Sequence, residues 1–374
     1  MTTRLADLYG IENYIDTFAL GHYARVLSAE DRRRGETVAF KVMRSEHLSD
    51  KGDVRWEYRA FPHEADLLMR LNDSPQVVDL LDCGFVSTMD EAPENGEIES
   101  MGQDIDAFKE AFLTFAERRW RPYLTLKNLP RNHNLLYLMK PSKPGVRWRL
   151  PTEEGLALAL QFAQMLKLAH SMKIIYMDHK LEHVYWDGFG LHVIDLNSSR
   201  LLANETGDAQ YFRLDIHNLC VGILYPIFTG LTAHKTALRP QSGNINEVED
   251  RYKDITTLDF GIEPTLSEAL IDLLQRGANM QIETIDEFIS ALHEVAARHG
   301  WDFPGHHISP ASRMARDHMR EGLRKLREGQ DAMRQARGLF REAAIQDAIT
   351  DDLEDELRRL VRATNDMLNK RVIP

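Results

Sequence analysis

The stretch Tyr176-Met177-Asp178-His179-Lys180-Leu181-Glu182-His183, closely followed by Val193-Ile194-Asp195-Leu196-Asn197, constrains this chain more than any other part of it. Each aspartate falls in a short turn bounded by apolar, strand-like residues, and a lysine stands two positions after the first. A fold that brings the two turns together presents two carboxylates and an ammonium on short supports. That set suits phosphoryl transfer. One carboxylate faces an attacking hydroxyl, a second holds metal on nucleotide phosphates, and the lysine neutralises the group in transit.

Bulk properties narrow the field. The 374 residues are 43% hydrophobic, enough for a substantial core and against global disorder. Lys plus Arg number 46 and Asp plus Glu 58, a net charge of −12, which disfavours wholesale nucleic-acid binding. The two cysteines, Cys83 and Cys220, lie in apolar runs and read as small core residues in a reducing compartment. No hydrophobic signal core opens the chain and no apolar run is long enough to span a bilayer. These features predict a soluble, cytoplasmic protein with no membrane association.

Hydrophobic periodicity predicts the elements. Strands are expected over residues 14–20, 23–29 and 37–43, the last carrying Lys41, with a charged turn at 32–36. A helix is expected over 53–71, with Phe61, Leu67, Leu68 and Leu71 on its apolar side. Residues 77–86 read as a strand pair or a bent strand. Residues 88–132 read as an insertion: an acidic loop (Asp90, Glu91, Glu94, Glu97, Glu99), then a helix over 105–119 whose Phe108, Phe112 and Phe115 form a packing face. Residues 134–139 read as a strand. Helices follow over 152–172, with Thr152 as N-cap, over 215–230, with Gly230 as C-cap, and over 266–276 and 285–298.

Beyond Pro304 the composition shifts to Arg, Glu, Ala, Leu and Met. Met319, Leu323, Leu326, Met333 and Phe340 repeat at alternating spacings of four and three, with Gln330 and Arg337 filling the stripe. Leu353, Leu357, Leu360, Thr364 and Met367 continue the rhythm after an acidic break at 347–352. A helical hairpin or short coiled coil is expected, and Gly322, Gly329 and Gly338 are expected to divide it into several helices.

The order of these pieces, over residues 14–298, resembles the protein-kinase superfamily. Val38-Ala39-Phe40-Lys41 is similar to the family's third-strand Val-Ala-Ile-Lys, whose lysine holds the α and β phosphates. The helix holding Glu64 resembles the family's C-helix, which implies a Lys41–Glu64 ion pair. Tyr137-Leu138-Met139-Lys140 resembles the strand entering the adenine-binding hinge, which implies a backbone role for Met139. Asp178 matches the catalytic-loop aspartate and Lys180 the lysine of Ser/Thr-directed members. Asp195 matches the metal-binding aspartate of Asp-Phe-Gly, and Asp215 opens the sequence of the buried helix that orients the catalytic loop. The resemblance implies an α+β, bilobal protein-kinase-like fold. A small antiparallel-sheet N-lobe (1–140, with the insertion at about 88–132) would precede a helical C-lobe (141–303) and a helical extension (304–374). It also implies ATP with Mg²⁺ or Mn²⁺.

The departures from the family pattern are as informative. Of the three glycines in the phosphate-covering loop only Gly21 is present, with Tyr23 in the aromatic tip position. The arginine before the catalytic aspartate is Met177, so a phosphorylation switch has no cation there. The asparagine that ligates the second metal is His183, which either shifts metal preference, leaves one metal unbound, or has no metal role. Asp-Phe-Gly is Asp195-Leu196-Asn197, and the segment after it is short and lacks Ala-Pro-Glu.

Three functions stay open at this level. The first is a divergent phosphotransferase moving the ATP γ-phosphate to a hydroxyl acceptor. The second is a pseudokinase acting as a nucleotide-responsive scaffold. The third is a kinase-fold enzyme acting on a small molecule. Residues 311–370 are expected to mediate self-association or bind a protein partner. Their arginines are interleaved with acidic residues, which disfavours nucleic acid as the partner.

Overall fold

Strand alternation sets the frame of the fold. In β4 (Glu36–Met43) the side chains of Val38, Phe40 and Val42 point to one face and those of Ala39, Lys41 and Met43 to the other. The first set packs with Leu5, Tyr9, Leu27, Ile98 and Tyr123 in a separate core cluster. The second set faces the main core, so a lysine is directed inward by register alone. The computed structural model describes residues 3–14, 23–48, 54–87, 96–139, 148–203, 209–232, 248–299, 310–346 and 349–369.

The chain forms two units, residues 1–140 with 147–304, and residues 141–146 with 305–374. The first opens with a curled, seven-stranded antiparallel sheet. Its members are β1 (Thr3–Arg4), β2 (Tyr9–Tyr14), β3 (Ala24–Asp31), β4, β5 (Leu80–Val86), β6 (Glu97–Gly102) and β7 (Arg121–Lys127), in the order β1-β6-β5-β7-β4-β3-β2. A single turn, α1 (Leu5–Leu8), follows β1. Helix α2 (Trp56–Arg70) lies on the main-core side, with Phe61, Leu67, Leu68 and Glu64 buried.

Residues 88–132 are not a separable insertion. They supply β6 and β7, and β7 lies inside the sheet between β5 and β4. Of the expected acidic loop, Asp90, Glu91 and Glu94 lie outside the described residues, and Glu97 and Glu99 belong to β6. Helix α3 (Ile105–Glu117) forms as expected, capped by Asp104, whose side chain accepts from Ala107 N. Its aromatics pack on the domain: Phe115 stacks on Phe85 at 4.4 Å, Phe108 lies 4.9 Å from Phe85, and Phe112 meets Tyr58 edge-on at 4.8 Å. Residues 134–139 form no strand. They form helix α4 (Leu135–Met139), because Asn134 Oδ1 accepts from the Leu136 and Tyr137 amides and caps it. The first expected strand begins earlier, as β2, and residues 15–20 lie outside the described set.

The helical part of this unit begins with α5 (Thr152–Ser171), buried along most of its length. Pro151, not Thr152, occupies its N-cap position. Three short strand pieces follow, β8 (Ile174–Ile175), β9 (Val184–Trp186) and β10 (Leu191–Val193). The next, β11 (Arg200–Leu201), pairs antiparallel with β8. Helix α6 (Ala209–Asn218) runs into a π-helical turn (Leu219–Leu224) and then α7 (Tyr225–Thr229), which ends at Gly230 in the left-handed region, φ 72°. Helices α8 (Glu268–Ala278) and α9 (Ile285–Arg298) complete the unit.

The second unit holds α10 (Pro310–Ala344) and α11 (Asp351–Asn369), packed together and bridged by Arg337 Nη1 donating to Asn365 Oδ1 at 2.9 Å. The expected break between helices falls between Ala344 and Asp351. The expected interruption at glycines does not occur, since α10 runs unbroken through Gly322, Gly329 and Gly338. Each glycine costs about 1 kcal/mol relative to alanine. A 35-residue helix absorbs that over its remaining hydrogen bonds and its packing. No described helix is long and apolar enough to cross a membrane.

Candidate functional site

Lys41 is the hub of a buried charge cluster. Its Nζ donates to Glu64 Oε1 and Oε2 at 2.9 and 2.7 Å and to Asp195 Oδ1 at 2.7 Å. Strand register directs Lys41 inward, α2 presents Glu64 from above the sheet, and the turn after β10 supplies Asp195. Burial disfavours the ammonium, but Asp195 and Glu64 outweigh it and hold Lys41 well above its ordinary pKa. Burial raises Glu64 to about 7, Lys41 opposing and Asp195 adding to the rise. Asp195 goes the other way. Burial would raise it, but the charges of Lys41 and His183 prevail and hold it below the carboxylate range.

A second cluster adjoins the first. Lys180 Nζ lies 2.8 Å from Asp178 Oδ2, and Arg251 Nη2 lies 3.0 Å from Asp178 Oδ1. His183 joins the clusters: its Nδ1 meets the Asp178 carbonyl at 3.2 Å and its Nε2 lies 3.3 Å from Asp195 Oδ2. Asp178 has no exposed surface. Burial raises its pKa, but Lys180, His183 and Arg251 outweigh that and leave it lowered.

The turns are held in strained backbone. Met177 and Asp195, both non-glycine, adopt φ of 66° and 63°. Such residues persist only where surroundings over-determine them. Asp215 does this for the first turn: its carboxylate accepts from the Tyr176 and Met177 amides at 2.9 and 2.8 Å and lies 3.0 Å from His170 Nε2. Asn218 Nδ2 donates to the Met177 carbonyl at 3.0 Å. For the second turn, Ile194 N donates to the His183 carbonyl at 2.9 Å.

Of the residues singled out from sequence, Lys41, Glu64, Asp178, Lys180, His183 and Asp195 come together. Tyr23 joins them, with its ring centroid 5.6 Å from Lys41 Nζ and its hydroxyl bonded to the Asn197 amide. Gly21 lies outside the described residues. Met139 is the last residue of α4 and continues no strand of the sheet. The strand that pairs with both β4 and β5 and precedes α4 in the chain is β7. Sequence reasoning missed Arg251 and Tyr252, whose hydroxyl donates to the His179 carbonyl at 2.7 Å. Their partners are 73 positions away, beyond any local pattern.

Among the described residues, no group of three or more His, Cys, Asp or Glu side chains is arranged to hold a metal ion. Comparison with protein families and with curated proteins finds no match to this chain.

Proposed function

We propose that the chain is a divergent member of the protein-kinase-like superfamily, with a nucleotide phosphate tail bound at Lys41 in a cleft between a sheet lobe and a helical lobe. One observation carries the reading. Lys41, Glu64 and Asp195 lie up to 154 positions apart in sequence and meet at 2.7–2.9 Å, beside a second buried carboxylate, Asp178, paired with its own lysine. A buried ammonium shared by two carboxylates is weak support for stability, so a role in binding an anion accounts for it better.

In this reading Lys41 is oriented by Glu64 and contacts phosphate oxygens. Asp195 and His183 hold Mg²⁺ or Mn²⁺. As a metal ligand His183 would be the neutral imidazole, with Nδ1–H donating to the Asp178 carbonyl and the Nε2 lone pair turned toward Asp195 and the metal. One imidazole nitrogen and one carboxylate oxygen suit Mn²⁺ better than Mg²⁺. The metal, when bound, supplies charge neutralisation on the phosphates. Asp178 aligns the acceptor hydroxyl and takes its proton, and Lys180 steadies the transferred group.

The engagement of both Asp178 oxygens by Lys180 and Arg251 favours a second reading, a pseudokinase that binds nucleotide without transferring phosphate. Two measurements separate the readings. Thermal stability with ATP plus Mn²⁺ or Mg²⁺ should rise in the wild type and not in Asp195→Asn. Labelled phosphate should then move from ATP to the protein itself or to a hydroxyl substrate. Binding without transfer establishes the pseudokinase, and no stabilisation with either metal removes both readings.

A further inference from the structure

Helix α11 carries more apolar surface than α10 covers. Leu353, Leu357, Leu360, Val361, Met367 and Leu368 span an arc of about 120° at 100° per residue. On one side of the arc Leu357 is buried, and Val361 and Leu368 are half-buried. On the other side Leu353, Leu360 and Met367, seven positions apart, are 45%, 38% and 51% exposed. The chain thus keeps a heptad-spaced stripe on a helix whose hairpin contact is already satisfied.

The hairpin is also unequal. Helix α10 has 35 residues, about 52 Å, and α11 has 19, about 28 Å. The short connection from Ala344 to Asp351 and the Arg337–Asn365 bond beyond it make the two antiparallel, so the surplus is the amino-terminal half of α10. In sequence that half continues the α10 stripe through Met319 and Leu323, and Leu326 is 38% exposed. Each chain therefore has an exposed apolar stripe on α11 and a length of α10 that outruns α11.

We infer that a second copy of this chain fills both. Two hairpins related by a two-fold axis, with their α10 helices antiparallel, lay the surplus half of each α10 along the open stripe of the partner's α11. Such an interface is self-complementary, as two-fold symmetry requires. Charge agrees with this direction. Residues 351–356 hold five acidic residues and no base, while five arginines lie between positions 313 and 327. With α10 running antiparallel to its counterpart, it runs parallel to the partner's α11, and the basic start of one helix meets the acidic start of the other.

Light scattering on the eluting full chain should give twice the chain mass at micromolar concentration, with dissociation promoted by salt. The variant Leu353→Glu/Leu360→Glu/Met367→Glu should run at the single-chain mass with unchanged helical circular dichroism. Arg362→Glu, on the opposite side of α11, should stay dimeric. Arrangement is read by mixing two single-cysteine variants, Leu326→Cys and Leu360→Cys, with a short bis-maleimide. Cys83 and Cys220 are buried and leave the background low. Crosslinks between unlike variants support the α10–α11 contact. A single-chain mass for the wild type, a dimer that survives the triple variant, or crosslinks only between like variants overturns the proposal. Its failure leaves the nucleotide site untouched, because the site lies wholly in the other unit.

Discussion

Arg251 closes on Asp178: its guanidinium lies 3.0 Å from the Oδ1 of a carboxylate with no exposed surface, and Lys180 holds the other oxygen at 2.8 Å. A carboxylate that takes a proton from an acceptor needs that hydroxyl within about 3 Å. In the proposed phosphotransferase, Arg251 and Lys180 already engage one oxygen each, so Arg251 competes with an acceptor hydroxyl for Asp178.

Replacing Arg251 with alanine should therefore raise phosphate transfer from ATP about tenfold. That factor corresponds to about 1.4 kcal/mol in the barrier. Lys180 remains to balance Asp178, so the fold should hold. Initial rates with labelled ATP measure the effect. A drop in rate would assign Arg251 to holding the acceptor instead of blocking it.

Lys41→Met should cost about 3–5 kcal/mol of stability, because Glu64 and Asp195 then face each other without the ammonium between them. Adding Glu64→Gln should recover a large part of the loss, since the pair shares one interaction. Urea titrations of the three variants give the coupling. Strict additivity would mean that the ion pair contributes nothing beyond its two isolated side chains.

How much of this was legible depends on the distance over which a signal acts. The β-branched and aromatic run over 37–43 announced the strand, and the inward direction of Lys41 follows from its register in the sheet. Glu64, Asp178 and Asp195 were legible through the resemblance of the motifs that carry them. Short apolar runs were ambiguous: Leu135-Leu136-Tyr137-Leu138-Met139 fits strand and helix equally, and only the capping asparagine before it decides. The strand β7 was hidden because every residue from Arg121 to Leu126 is buried, which leaves no polar alternation to read. Arg251 was invisible because a loop residue gives no periodic signal for a carboxylate so far upstream. The uneven hairpin was half legible. The heptads predicted helices, but which leucines face a partner depends on where α10 outruns α11.

The pH dependence of stability should carry Glu64's signature. Its folded pKa, about 7, lies above the ordinary 4.5, with burial as the leading cause. The native state then holds the proton more tightly than the unfolded chain does. The resulting stabilisation is complete below pH 4.5 and is lost as pH climbs through about 7. Glu64→Gln does not titrate. The stability of wild type minus variant should fall by on the order of 3 kcal/mol between pH 4.5 and pH 8. Asp178, Asp195 and Asp215, all lowered, act in the opposite direction and only in more acidic solution. A difference that stays flat across the window would show that Glu64 titrates alike in both states.

Gly222 is the pivot through which the fold reaches Arg251. It sits in the π-helical turn, where a Cβ would lie 2.6 Å from the His179 carbonyl oxygen and 2.7 Å from the Tyr252 ring. The bare α-carbon leaves room for that ring beside the turn while its hydroxyl donates to the His179 carbonyl. Arg251, next in the chain, is thereby set over Asp178. Gly222→Ala should push the ring away, cost about 1–3 kcal/mol by overpacking, and free Arg251. Phosphate transfer should then rise as it does in Arg251→Ala, and the double variant should be no faster than either single one. Tyr252→Phe keeps the ring and removes one hydrogen bond, so its effect on transfer should be smaller. If Gly222→Ala destabilises the protein yet leaves transfer unchanged, the Tyr252 ring does not set the position of Arg251.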